Sequence, residues 1–463
     1  MQQYVVSTLI ILLCLMTACQ PSVNPNAGHE SQPAIAIFNM ADMHSGYDAY
    51  PILLRNIDQY AAQHPQTKTL FVINGDYFEA GSVVAQKSHG KLDMAFLAEL
   101  KQRGEVVFNI GNHDFDIIGM HEFIPQAEAL GVRVIGTFAS SELTTALAAF
   151  TDIQLGAKTL RFIGVNTDHI RTFPAAMRAN LTIPVPQDWL AQHYAEISQG
   201  ADYNIILSHA GVTADKTMLE FLSKQARQPV YMLGAHDHLS LQTTVNDMPY
   251  LHTTFKGQRL VVVELRTDDT LLKLTINNLL TDFSQAGDPA FRAQINATRE
   301  TVLSPEDKMI VGKVTKELSF DQAVAWTLDT LREKTGADVA LFNHSSFGSG
   351  LPQGPLAQYR FNQFMRFENK LMMTTVDGQT LKTILARANQ HLHNDIAQLS
   401  GDFVYANTLD VQEQQSYTIV TPDWVTLADN QLNYLGMQLN FWEFPDTSVK
   451  TLLKESLNNH TQN

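Results

Sequence analysis

Apolar positions in this chain fall into short continuous runs that stop abruptly at polar clusters. Ala34-Ile35-Ala36-Ile37-Phe38-Asn39, Thr69-Leu70-Phe71-Val72-Ile73-Asn74 and Val106-Val107-Phe108-Asn109-Ile110 each read as a buried strand. Between them, Asp48 to Gln63 and Lys91 to Arg103 carry apolar residues at helical spacing, with Pro51 tolerable in a first turn. Further on, Asn204-Ile205-Ile206-Leu207-Ser208 and Pro229-Val230-Tyr231-Met232-Leu233-Gly234 repeat the strand pattern. Strand, loop and helix in succession predict a largely parallel sheet with right-handed crossovers and both faces covered.

The polar clusters share one position, the end of a strand. Asp42 and His44 follow the first run, Asp76 the second, and Gly111-Asn112-His113-Asp114-Phe115-Asp116 the third. His209 and then His236-Asp237-His238 follow the later two. Any one of these is ordinarily a turn or a helix cap. Parallel strands place their C-terminal ends on one edge, so the recurrence predicts a single cluster at that edge. Other histidines, among them His344 and His391, lack this placement.

Four imidazoles with carboxylates and one amide oxygen suit Zn²⁺, Mn²⁺ or Fe better than Mg²⁺ or Ca²⁺ alone. The donors are too many for one tetrahedral ion and fit a carboxylate-bridged pair roughly 3.5–4 Å apart, an arrangement matched to in-line displacement at phosphorus. The order Asp42-Met43-His44, Gly75-Asp76, Gly111-Asn112-His113-Asp114, His209, Gly234-Ala235-His236-Asp237-His238 resembles the calcineurin-like metallophosphoesterases. The Asn-His-Asp-Phe-Asp form of the third motif is similar to the 5′-nucleotidase branch.

That resemblance implies a four-layer α/β/β/α sandwich over residues 34–278 and a smaller C-terminal α/β substrate-binding domain over 312–463; between them the pattern loosens over 279–311, which reads as a linker that includes a helix. It implies one metal site from Asp42, His44, Asp76 and His238 and a second from Asp76, Asn112, His209 and His236. Asp76 bridges them. His113, held by Asp116, is implied to assist the leaving oxygen, and Asp114 has no role beyond a cap or turn. His238 stands where the branch often has Gln, although His is usual in the wider superfamily.

Downstream, Ser319 to Thr335 and Thr380 to His391 read as helices and Leu371 to Val376 as a strand. Asp338-Val339-Ala340-Leu341-Phe342 is a strand running into Asn343-His344-Ser345-Ser346-Phe347-Gly348. The resemblance is fainter here. Asn343 aligns, but the glycines and substrate-binding arginine of the family are replaced, and the next arginines are Arg360 and Arg366. Phe403 and Trp424 fall near the two aromatics that sandwich a purine, with Asp429 a polar contact to base or ribose.

A net charge of -15 leaves no Lys/Arg stripe for nucleic-acid polymers. Tyr4 to Ala18 is almost wholly apolar, of signal-peptide length and short for a membrane span. Met16-Thr17-Ala18-Cys19 resembles a bacterial lipobox, so residues 1–19 read as a lipoprotein-type signal, with lipidated Cys19 holding an exported protein at a periplasmic or cell-surface membrane face. Both cysteines, Cys14 and Cys19, lie in this stretch. The resulting expectation is a hydrolase of small phosphate esters, nucleotides foremost, using two divalent metal ions. Hydrolysis of cyclic nucleotides, nucleotide sugars or sulfur esters at the same site, and ligand capture by an anchored binding protein without turnover, are the alternatives.

Overall fold

The computed structural model describes residues 35–267, 272–393 and 395–459; Cys19 lies outside the described residues. Ile35–Met40, Lys68–Asn74, Glu105–Asn109 and Arg133–Ile135 pair in parallel, and Arg259–Thr267 with Leu272–Leu280 extends the sheet antiparallel beyond Ile35–Met40. A second six-stranded sheet has at its centre Lys158–Asn166, Tyr203–His209, Val230–Gly234 and Met248–His252, all parallel, with Phe150–Leu155 and Leu241–Val245 antiparallel at the edges.

Side-chain alternation along each strand builds the layers. Ile35, Ile37, Leu70, Val72 and Val107 pack between the sheets against Phe162, Ile205 and Leu207. Their neighbours Ala36, Phe38, Phe71, Ile73 and Phe108 turn outward onto helices. On one of these, Tyr50–Gln63, the buried Tyr50, Leu53, Leu54, Ile57 and Tyr60 form a helical stripe, with Pro51 in the first turn. Each such fully buried side chain contributes roughly 1.5–3 kcal/mol. Helices Pro186–Ile197 and Val212–Gln225 cover the outer face of the second sheet, completing the four layers.

The connecting segment over 279–311 carries one long helix after the last strand of the first sheet. Leu272–Leu280 continues the first sheet, and helix Pro289–Val302 buries Phe291 and Ile295 against the first domain, the Phe291 ring 6.2 Å from Tyr50 and 5.9 Å from Phe96. The second domain has a five-stranded sheet ordered Val404–Ala406, Val339–Asn343, Ser416–Pro422, Lys370–Asp377, Trp442–Ser448. Helix Phe320–Thr335 starts at the capping box of Ser319 with Gln322. Helix Gly378–Leu385 stops short of the expected His391 because Asn389, at φ 54°, turns the chain and bonds through its amide to the backbone of Ala406.

Candidate metal centre and substrate cavity

Strands of both sheets deliver their C-terminal loops to one place. Asp42 and His44 come from Ile35–Met40, Asp76 from Lys68–Asn74 and Asn112 from Glu105–Asn109; His209 ends Tyr203–His209, and His236 and His238 follow Val230–Gly234. Among the described residues, Asp42, His44 and His238 form one group able to hold a metal ion, and Asp76, His209 and His236 form another. His44 Nε2 lies 3.0 Å from His238 Nε2, close to the separation of two imidazole donors sharing a cation at about 2.0–2.1 Å. Asp76 reaches both groups, with Oδ2 3.9 Å from His44 Nε2 and Oδ1 3.2 Å from His209 Nε2.

The donor chemistry fits divalent metal ions. Asn112 Oδ1 and His236 Nδ1 are buried without hydrogen-bond partners, an expensive arrangement unless an ion accepts their lone pairs. His209 Nδ1 bonds to the Asn74 carbonyl at 2.8 Å, which fixes the ring and leaves Nε2 as the donor. The backbone N–H of His236 donates to Asp42 at 3.1 Å, and that of His113 to Asp76 at 2.8 Å.

His113 projects into the cavity, its Nδ1 2.7 Å from Asp116 Oδ2. Burial opposes its protonation, but the carboxylates of Asp116 and Asp76 outweigh this and lift its pKa to about 9. Asp114 is fully buried and accepts from the backbone N–H groups of Gly111 and Tyr77, both at 2.6 Å, so it ties two donor loops together.

A cavity of about 510 Å³ lies between these loops and the second domain. Asn343 lines it, but its amide is engaged with Ser345 Oγ at 2.8 Å and Ser346 Oγ at 2.9 Å, ordering its own loop. Trp424 lines it, 37 % exposed. Phe403 and Asp429 do not belong to its wall. Phe403 is only 2 % exposed and stacks on His344 with centroids 4.5 Å apart, while Asp429 is drawn into an ion pair with Arg171 at 2.7 Å.

Phe367 and Tyr434 are further aromatics on the wall, Phe367 38 % exposed and Tyr434 buried. His344 and Arg366 also line the cavity. Glu79, on the loop after Asp76, sits behind it with Oε2 2.6 Å from Arg366 Nη2 and 3.6 Å from His44 Nδ1. Burial disfavours the Glu79 carboxylate, but Arg366 and Lys256 hold its pKa down at about 2. Arg360 points elsewhere, to Asp48 at 3.0 Å in a separate cleft.

Known proteins resemble both domains. Residues 35–240 match the calcineurin-like phosphoesterase family and residues 310–432 the 5′-nucleotidase C-terminal domain. No curated protein sequence matches. Among solved structures, a 5′-nucleotidase precursor from Thermus thermophilus superimposes with a TM-score of 0.62 at 16% identity, covering 92% of this chain and 96% of its own. The 5′-nucleotidase of Candida albicans gives 0.60 at 13% identity, covering 93% and 98%. The Thermus thermophilus sulfate thiohydrolase SoxB gives 0.63 at 12% identity, covering 92% and 94%. These likenesses establish a shared fold. With both family matches in their expected order over the two domains, the chain belongs to the calcineurin-like phosphoesterases, in the 5′-nucleotidase branch, and is a metal-dependent phosphoester hydrolase.

Proposed function

We propose that this hydrolase acts on small phosphate monoesters, nucleotides foremost, at a centre of two divalent cations held by Asp42, His44, Asp76, Asn112, His209, His236 and His238. The observation that carries the reading is the cavity itself, with clustered metal donors and His113 at one end and exposed Phe367 and Trp424 on the wall supplied by the second domain. Bound divalent cations supply Lewis acidity toward a phosphoryl oxygen and acidify coordinated water. Asp76, reaching both donor groups, would be the carboxylate they share. Asp116 occupies His113 Nδ1, leaving Nε2–H to donate to a phosphoryl or leaving-group oxygen. Phe367 and Trp424 offer faces to a nucleobase.

Product assays with Mn²⁺ or Zn²⁺ added test the substrate class: phosphate released from nucleotides and sugar phosphates, nucleoside monophosphate from cyclic nucleotides and nucleotide sugars, and the sulfur oxyanion from a sulfur ester. Nucleoside monophosphates are expected to rank first; preference for a cyclic or sulfur ester excludes the reading. His113→Ala is expected to keep the parent's metal content and to lose about 10²–10⁴-fold in turnover of p-nitrophenyl phosphate. Unchanged turnover, or a parent that binds no metal, overturns the mechanism. The lipobox-like Met16-Thr17-Ala18-Cys19 supports export and lipid anchoring; recovery of unlipidated protein from the cytosolic fraction contradicts it. Among the described residues, no helix is long and apolar enough to cross a membrane.

A further inference from the structure

The loop after Asn343 lacks an arginine, but a guanidinium reaches the centre by another route. Arg366 precedes strand Lys370–Asp377 and lines the cavity together with His44, Asp76, Asn112 and His113. Its side chain is 2 % exposed. Nη1 donates to the Ser345 carbonyl at 2.8 Å, Nη2 pairs with Glu79, and Nε is buried without a hydrogen-bond partner. Glu79 is fixed in turn, its Oε1 accepting from the Gly81 N–H at 2.7 Å. The guanidinium is thus clamped from both domains, desolvated, and left with donor capacity beside the metal ligands.

The other cations nearby are differently placed. Arg360 serves Asp48 in the separate cleft, which Lys256 also lines. Arg171 is on the cavity wall but is 69 % exposed and bound to Asp429, so water screens it.

We propose that Arg366 holds the phosphoryl group of the substrate, entering from the start of an antiparallel strand in place of an arginine after Asn343. The assignment rests on the phosphoesterase reading of the site. A planar fork pre-set by Glu79 and Ser345 recognises a tetrahedral dianion better than a flexible ammonium does. Because Arg366 belongs to the second domain and the metal donors to the first, the phosphoryl group is gripped only where the two meet.

The test is calorimetric titration of inorganic phosphate into the metal-loaded full chain, alongside turnover of p-nitrophenyl phosphate. Arg366→Ala is expected to weaken phosphate binding about 10–100-fold and to lower kcat/KM about 10²–10³-fold, with metal content kept and the melting temperature lowered because Glu79 loses its buried partner. Arg366→Lys recovers only part of the loss, and Arg332→Met, at an exposed guanidinium on helix Phe320–Thr335, binds phosphate as the parent does. If Arg366→Ala does not fold, Arg366→Lys, which keeps a positive charge opposite Glu79, carries the measurement. Phosphate affinity within twofold of the parent in the folded Arg366 variant, or no phosphate binding by the parent, overturns the assignment. A parent that hydrolyses no ester while binding phosphate through Arg366 defeats the hydrolase reading and leaves the anion site standing.

Discussion

Asp42, His44, Asp76, His236 and His238 lie at φ between 43° and 83°, where side chains other than glycine are strained by roughly 1–3 kcal/mol each. Hydrogen bonds hold them there, Asp42 N–H to the Gly75 carbonyl at 3.0 Å and His44 N–H to that of Asp76 at 2.9 Å. The intervening residues serve the scaffold: Met43 is buried in the helix-side core, and Asp237 accepts from the Val212 N–H. Exposure likewise separates the aromatic candidates. Trp424→Ala and Phe367→Ala are expected to raise KM for a nucleoside monophosphate about tenfold, since stacking on a base is worth about 1–3 kcal/mol. Neither should affect glycerol phosphate or the melting temperature. Phe403→Ala opens the core instead, at about 3–5 kcal/mol, and thermal melts detect it. A Phe403 variant with parental stability and a raised nucleotide KM reverses the assignment.

At the scale of elements, the donor loops approach so closely that a methyl group disturbs them. A Cβ on Gly111 falls 2.3 Å from both the backbone N and Oδ1 of Asp76 and 2.9 Å from His209 Nε2; one on Gly75, at φ 77°, falls 2.2 Å from His209 Nδ1. Gly111→Ala is therefore expected to leave the fold intact while weakening metal binding about 10–100-fold, as loss of supporting contacts does; metal analysis after dialysis measures it, and full retention contradicts the account. The first domain was legible because its donors follow apolar runs in parallel strands. The second was less so because its sheet is mixed. Leu371 pairs with Pro422 and Asn343 with Val404 in antiparallel register, so residues before Lys370 and Val404 share an edge with those after Asn343 and Pro422. Asn343 and Trp424, singled out through the resemblance, end or follow strands, whereas Phe367 and Arg366 precede one; the sequence offers Arg360 and Arg366 as replacements for the missing arginine but does not show where either points. Glu79 was hidden for another reason: its partner is remote in sequence, and no periodicity records such a pairing.

At the scale of the whole molecule, the cavity exists only while the domains stay together, and Asp48 is one of the ties. Its Oδ1 lies 2.9 Å from Arg299 Nη2 on the connecting helix and its Oδ2 3.0 Å from Arg360 Nη1 on the second domain. Burial raises the carboxyl pKa, but the two guanidiniums outweigh it and hold Asp48 well below the usual carboxylate range. In the unfolded chain the group titrates near 3.9. Below that value the unfolded state takes up a proton that the native state refuses, so the contribution of Asp48 is complete above about pH 4 and is lost as the pH falls toward the lowered native pKa. Other carboxylates titrate in the same range, so Asp48→Asn is the comparison that isolates this one. The variant is expected to melt at a lower temperature than the parent at pH 6, and the gap should narrow steadily below about pH 4 as the parent loses what the variant never had. A gap that stays constant down to pH 3, or that is absent at pH 6, shows that Asp48 does not hold the domains together.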